Sequence, residues 1–172
     1  MSQADATIMP LEAVAPEMIE ALLDRAFGTD RHSRTAYKVR EGVDWLPALS
    51  FAATDEADML TGTIQCWPVA LTDDDSRRHP MLMVGPVAVV PERQGEGFGH
   101  ALMAALTGAL DPNTPLPQVM VGDPGYYTRF GYSAAPTQRW DLPGRFERHR
   151  LLVRAANPAV LPAKGTLGPW IG

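Results

Sequence analysis

Cysteine is nearly missing from this sequence: Cys66 is the only one in 172 residues, which excludes a disulfide within the chain. No candidate base neighbours it, so Cys66 reads as a small buried apolar residue rather than a nucleophile. Long hydrophobic runs are also missing. No window approaches the ~18 apolar residues of a membrane helix. The opening "MSQADATIMP" has neither the basic start nor the apolar stretch of a signal peptide. These absences predict a cytoplasmic protein with no membrane partner. Positive charge is scarce relative to negative, with 15 Lys+Arg against 20 Asp+Glu and a net charge of -5. That balance argues against nucleic acid as a partner and is compatible with a cationic substrate. His32, His79 and His149 show no metal-ligand spacing, so no metal is expected.

What is present fits one domain over residues 1–172, with 45% apolar and 20% charged residues. "PEMIEALLDRAFG" carries an apolar stripe at helical spacing, with Pro16 suited to the first turn and Gly28 to the stop. "LSFAAT" (Leu49 to Thr54) and "MLTGTIQCWPVAL" (Met59 to Leu71) read as strands joined by the turn "DEAD". "TDDDSRRHP" reads as a solvated loop. "MLMVGPVAVV" (Met81 to Val90) has the composition of a central strand buried on both faces. It also holds Gly85-Pro86, which such a strand should not tolerate, and this points to a bulge or a splayed strand. "HALMAALTGAL" is a helix, "QVMVG" a short strand, "YYTRFGY" a short helix ending at Gly131, and "RHRLLVRA" a late strand. The tail "NPAVLPAKGTLGPWIG" gives no regular pattern. Mixed elements in this order predict an α/β or α+β sheet.

The stretch "PERQGEGFGHAL" places Gly95, Gly97 and Gly99 between the buried strand and the following helix. Glycines there let successive main-chain N–H groups turn toward an anion, and the first N–H groups of the helix lack intrahelical partners. The dinucleotide pattern G-x-G-x-x-G fails, because the sixth position is His100 counted from Gly95 and Leu102 counted from Gly97. No Gly-Lys-Ser or Gly-Lys-Thr is present for a Walker loop. The spacing that fits is Gln94-x-x-Gly97-x-Gly99.

With its preceding strand, "VAVVPERQGEGFG" resembles the acetyl-CoA loop of the GNAT superfamily of N-acetyltransferases. "VMVGDPGYYTRFGY" is similar to that family's second motif, with Tyr127 four residues before Gly131 and Tyr132 as the aromatic. The resemblance is sharp over about residues 81–135. It implies a mixed, mostly antiparallel central sheet, splayed between its fourth and fifth strands and flanked by helices. It also implies acetyl-CoA as co-substrate. Backbone of Val87, Ala88 and Val89 would pair with the pantetheine arm, and the loop of Gln94, Gly95, Glu96, Gly97, Phe98, Gly99 and His100 would hold the pyrophosphate. His100 either contacts a phosphate or only starts the helix.

Acetyl transfer from a thioester to an amine requires a neutral amine, a stabilised oxyanion and a protonated leaving thiolate. The resemblance assigns the oxyanion donor to the backbone N–H of Val89 and the general acid to Tyr127. The alternative for Tyr126 or Tyr127 is packing under the sheet. The base is open: Met81 to Val90 and Gln118 to Gly122 contain no carboxylate, where many family members carry a glutamate. Asp123 is either a base beside the cleft or the first residue of an Asp-Pro turn, and ordered water is the other route.

Three readings follow: an acetyltransferase for a small-molecule amine, one for a protein or peptide amine, and a non-catalytic acyl-CoA-binding module. The absent strand carboxylate favours the last and Tyr127 counts against it. The polar "GTDRHSRTAYKVREGVDW" is expected to form one wall of the acceptor pocket. Arg31, Arg34 and Arg40 there either favour an anionic acceptor or are simply solvated. A homodimer through the apolar "RLLV" (Arg150 to Val153), with Trp140 nearby, is the expected assembly.

Overall fold

The computed structural model describes residues 6–113 and 115–171. The chain divides into two compact units. The first takes the chain up to His32, Trp45–Cys66 and Gly85–Leu110; the second takes Ser33–Asp44, Trp67–Val84 and the chain from Asp111 on.

In the first unit, helix α1 (Pro16–Phe27) forms where the sequence predicts it: Pro16 sits in its first turn and Gly28 caps it at a φ of 93°. Its stripe of Ile19, Leu22 and Leu23 is buried with Leu11, Ala52, Ala88 and Val90. Strand β1 (Thr7–Pro10), which the sequence did not announce, pairs antiparallel with β2 (Phe51–Thr54). Strand β2 pairs antiparallel with the start of β3 (Leu60–Thr72), and the register shifts between Ala53 and Thr54. The predicted turn between them is closed by Asp55, whose Oδ1 accepts the N–H groups of Ala57 at 2.9 Å and Met59 at 3.0 Å. Strand β2 starts later than predicted because Pro47–Leu49 is a 3-10 turn.

Neighbouring strand residues face opposite sides. Ala52 joins the α1 cluster, while Gly62, opposite Ala53, faces Leu102 of helix α3 (Phe98–Ala109). A Cβ at Gly62 would lie 2.8 Å from the Ala88 carbonyl oxygen and 3.0 Å from Leu102 Cδ1, so only glycine allows that approach. Helices α1 and α3 therefore cover opposite faces of the β2–β3 ribbon.

In the second unit, the first part of β4 (Arg78–Val89) pairs in parallel with β5 (Gln118–Val121), matching Leu82 with Gln118 and Met83 with Val119. Strand β4 begins three residues earlier than predicted, which shortens the acidic and basic loop to a turn after Thr72. Strand β5 pairs antiparallel with β7 (Leu151–Arg154). The last part of β3 pairs antiparallel with β8 (Lys164–Pro169), and β8 pairs in parallel with β6 (Arg139–Asp141). The architecture is mixed α/β, with mostly antiparallel pairing and the parallel pairs β4–β5 and β6–β8. Trp140, Leu151 and Val153 lie in the core with Leu71, Met83 and Val119. Leu152 is buried as well. The leucines and valine of "RLLV" are therefore buried in the chain's own interior.

Candidate active site

The end of β4 alternates: Ala88 and Val90 are buried in the first unit's core, while Val87 and Val89 are partly exposed. Gly85-Pro86 lies within the strand as a cis peptide, and Gly85 has a φ of 130° that suits glycine. The strand continues through this pair to Val89. The Val90 N–H donates to the Thr61 carbonyl at 2.8 Å, which anchors the exit of the strand.

After a 3-10 turn at Pro91–Arg93, the Gln94 side-chain amide donates back to the Val89 carbonyl at 3.3 Å. Gly95 and Gly97 hold φ values of 84° and 97°, in the left-handed region that side chains disfavour. A Cβ at Gly95 would meet nothing within 4 Å, so its backbone angle, not crowding, is what calls for glycine. Gly97 is the N-cap of α3 and provides no side chain to satisfy the first turn. Phe98 is buried at 1% exposure and pins that turn. The result is a helix N-terminus with its first-turn donors at Phe98, Gly99 and His100 and a helix dipole favouring an anion.

The loop is braced by Arg93, a residue that the sequence pattern does not single out. Its Nη1 donates to Asp55 Oδ2 at 2.8 Å and its Nε to Glu96 Oε2 at 3.0 Å, and its Nη2 lies 3.6 Å from Glu56. The guanidinium carbon sits 5.0 Å from the centre of the Phe98 ring. Arg25 holds the preceding Glu92 with two bonds of 2.8 and 2.7 Å. The Met59 N–H, then those of Ala57 and the Arg93 guanidinium, hold the Asp55 carboxyl below its usual range against the effect of burial.

In the second unit, helix α4 (Pro124–Tyr127) follows β5 directly. Asp123 is its N-cap: Oδ1 accepts the Gly125 N–H at 3.0 Å. The carboxylate is exposed, and the Asp-Pro turn anticipated from sequence is therefore present. The Cδ2–Cε2 edge of the Tyr127 ring lies against Gly122, where an added Cβ would be 2.7 Å from its Cε2 and 2.9 Å from its Cδ2. Tyr126 meets it edge-on with ring centres 4.9 Å apart, and Tyr132 lies 6.4 Å away. Burial, with smaller contributions from Tyr126 and Asp123, pushes the Tyr127 hydroxyl up to about 12, while Arg150 pulls it down. Gly131, at a φ of 91°, ends the segment as predicted. Gly122 escaped the sequence reading; its place between a strand and an Asp-Pro helix start was the available signal.

The polar stretch after α1 is less solvated than its composition suggests. Arg31 is 2% exposed and bonds Asp24 at 3.0 Å and Glu20. Two acidic residues of α1 already neutralise it, so an anionic acceptor gains nothing from it. Arg40, 5% exposed, stacks in the second unit over Tyr37 and Trp67 at 4.1 and 4.5 Å. Arg34 is exposed. His79 is 2.8 Å from Asp73, and His149 is 3.5 Å from Glu147. Among the described residues, no group of three His, Cys, Asp or Glu could hold a metal ion, and no helix is long and apolar enough to cross a membrane. Cys66 is buried and joins no disulfide, in keeping with the small buried apolar residue expected from the sequence.

The family model of the acetyltransferase (GNAT) domain matches residues 11–135. An Escherichia coli (strain K12) protein named Uncharacterized N-acetyltransferase YhbS is 31% identical over 146 residues, covering 81% of this chain and 83% of that protein. The crystal structure of YhbS from Escherichia coli in complex with CoA aligns with a TM-score of 0.68 at 23% identity, over 98% of this chain and 92% of that one. A GNAT family acetyltransferase from Brucella melitensis in complex with acetyl-CoA aligns with a TM-score of 0.60 at 25% identity, over 96% of each chain.

Proposed function

The chain belongs to the GNAT acetyltransferase family, and from that premise we propose that it moves the acetyl group of acetyl-CoA to the primary amine of a small molecule by direct attack in a ternary complex. The observation that carries this reading is the pair of left-handed glycines, Gly95 and Gly97, opening the uncapped N-terminus of α3. Such a loop matches a diphosphate in charge and in donor geometry. The complexes of two structural neighbours with CoA and acetyl-CoA support the same donor.

In this reading, Gln94 to His100 hold the pyrophosphate, and Val87 to Val89 pair with the pantetheine arm as a strand would. The Val89 N–H stabilises the tetrahedral oxyanion. Tyr127 donates toward the sulfur as charge grows there. A tyrosine at its ordinary ~10 is already protonated at neutral pH, and the thiolate to be protonated has a pKa of ~8.5. The raised value of Tyr127, about 12, keeps its hydroxyl protonated across the neutral range. The amine's proton leaves through the exposed Asp123 carboxylate or through water. A cytoplasmic location, consistent with a lone buried cysteine in no disulfide, belongs to the same proposal.

The test is an acceptor screen with acetyl-CoA in which released thiol is read. Small amines should release thiol and become acetylated. Acetylation confined to peptide or protein amines would move the acceptor class. Firm CoA binding with no product from any amine would indicate a non-catalytic binding module.

A further inference from the structure

Glu96 sits between Gly95 and Gly97, in the part of the loop proposed for the pyrophosphate. A carboxylate there repels the ligand that the loop is built to hold. The structure shows where its charge goes: Glu96 Oε2 accepts from Arg93 Nε at 3.0 Å. Arg93 is in turn fixed by Asp55, which is itself locked by the N–H groups of Ala57 and Met59. The guanidinium thus faces Asp55, Glu56 and Glu96, with the Phe98 ring beside it and its side chain 23% exposed.

We propose that Arg93 is a positioning residue for the CoA diphosphate: it holds the Glu96 carboxylate aside and sets donor affinity without touching the donor. This rests on the reading that residues 94–100 bind the diphosphate. The arrangement explains how an acidic residue can occupy a phosphate loop. Arg93 donates to two carboxylates, Asp55 and Glu96, and lies 3.6 Å from a third, Glu56. Its charge is already balanced by these neighbours, so its role is to remove a repulsion, not to add a phosphate contact.

The experiment is calorimetry of CoA with the wild type, Arg93→Gln, Arg93→Gln/Glu96→Gln and Gly97→Val, each checked for a folded melt. Arg93→Gln should weaken CoA binding about tenfold, and adding Glu96→Gln should restore most of that loss. A purely structural role would leave the double variant as weak as the single one, and that result overturns the proposal. Unchanged affinity in Arg93→Gln overturns it too. Should Arg93→Gln fail to fold, Arg93→Lys takes its place: weaker CoA binding that Glu96→Gln restores supports the proposal, and no such rescue overturns it. A second readout compares donors. The KM for acetyl-CoA should rise in Arg93→Gln, while kcat/KM for S-acetylpantetheine, which lacks the diphosphate, should match the wild type. Equal losses with both donors overturn the proposal. If Gly97→Val also binds CoA as the wild type does, the underlying reading of the loop fails; a defect in Gly97→Val alone fails only the role of Arg93.

Discussion

Tyr127 packs against Gly122 so closely that a Cβ on the glycine would stand 2.7 Å from the tyrosine's Cε2. The contact fixes one edge of the ring, and Tyr126 packs perpendicular to it. Gly122 is held by main-chain bonding, with its N–H donating to the Arg150 carbonyl at 2.9 Å. Gly122→Ala should therefore displace the Tyr127 ring. Overpacking of this kind costs about 1–3 kcal/mol, read in a denaturant melt. Turnover should fall by at least about tenfold with little change in CoA affinity, because the hydroxyl moves while the phosphate loop does not. Wild-type turnover in this variant would show that the ring position is immaterial.

The hydroxyl's pKa of about 12 gives a pH prediction with a definite sign. Its folded value is raised, so the stability it contributes is full below the unfolded value near ~10 and is lost as pH rises toward the folded one. For catalysis, ionisation of Tyr127 sets no alkaline limb in the rate profile below about pH 10. The rate ratio of wild type to Tyr127→Phe should stay flat between about pH 6 and about pH 9. A ratio that collapses in that interval would contradict the value and its cause.

Gly97→Val should leave a folded protein that no longer binds CoA. A β-branched residue is strongly disfavoured at a φ of 97°, so the start of α3 must rearrange. Calorimetry reads affinity and circular dichroism reads the fold. Unchanged affinity in a folded variant would remove the loop from the account.

Asp55 links acid stability to the loop. The Met59 N–H, followed by Ala57 and Arg93, lowers its folded pKa. The stability from its ionised form is present above the unfolded value near ~3.9 and is lost as pH falls through the folded one. The stability gap between wild type and Asp55→Asn should therefore be largest near neutrality and narrow below about pH 4, as denaturant melts at several pH values will show. A gap that does not change with pH would mean that the charge is not what matters.

Local chemistry carried much of this structure. Pro16, the apolar stripe and Gly28 bound α1 to the residue, and the glycine spacing located the loop that α3 follows. What escaped depends on partners far along the chain. Strand β8 contains Gly165, Gly168 and Pro169, poor strand residues that are held by pairing, Gly168 and Pro169 with Ala70 and Val69 of β3 and Gly165 with Trp140 of β6. Strand β6 has three residues and exists through its pairing with β8. Arg31 reads as a surface charge until α1 brings Asp24 and Glu20 to it. The role of Arg93 needs Asp55, which lies 38 residues away in sequence. The support of the Tyr127 ring needs the β5–α4 turn to bring Gly122 against its edge.

The central claim is that Tyr127 acts on the leaving thiolate of acetyl-CoA. The most direct test is steady-state kinetics of Tyr127→Phe beside Tyr126→Phe, using the amine found in the acceptor screen. Loss of one hydroxyl with the ring retained should lower kcat by about 100-fold to 10,000-fold for Tyr127→Phe. The KM for acetyl-CoA should stay close to wild type, and Tyr126→Phe should change kcat far less. Full activity in Tyr127→Phe, or a larger loss in Tyr126→Phe, would contradict the account.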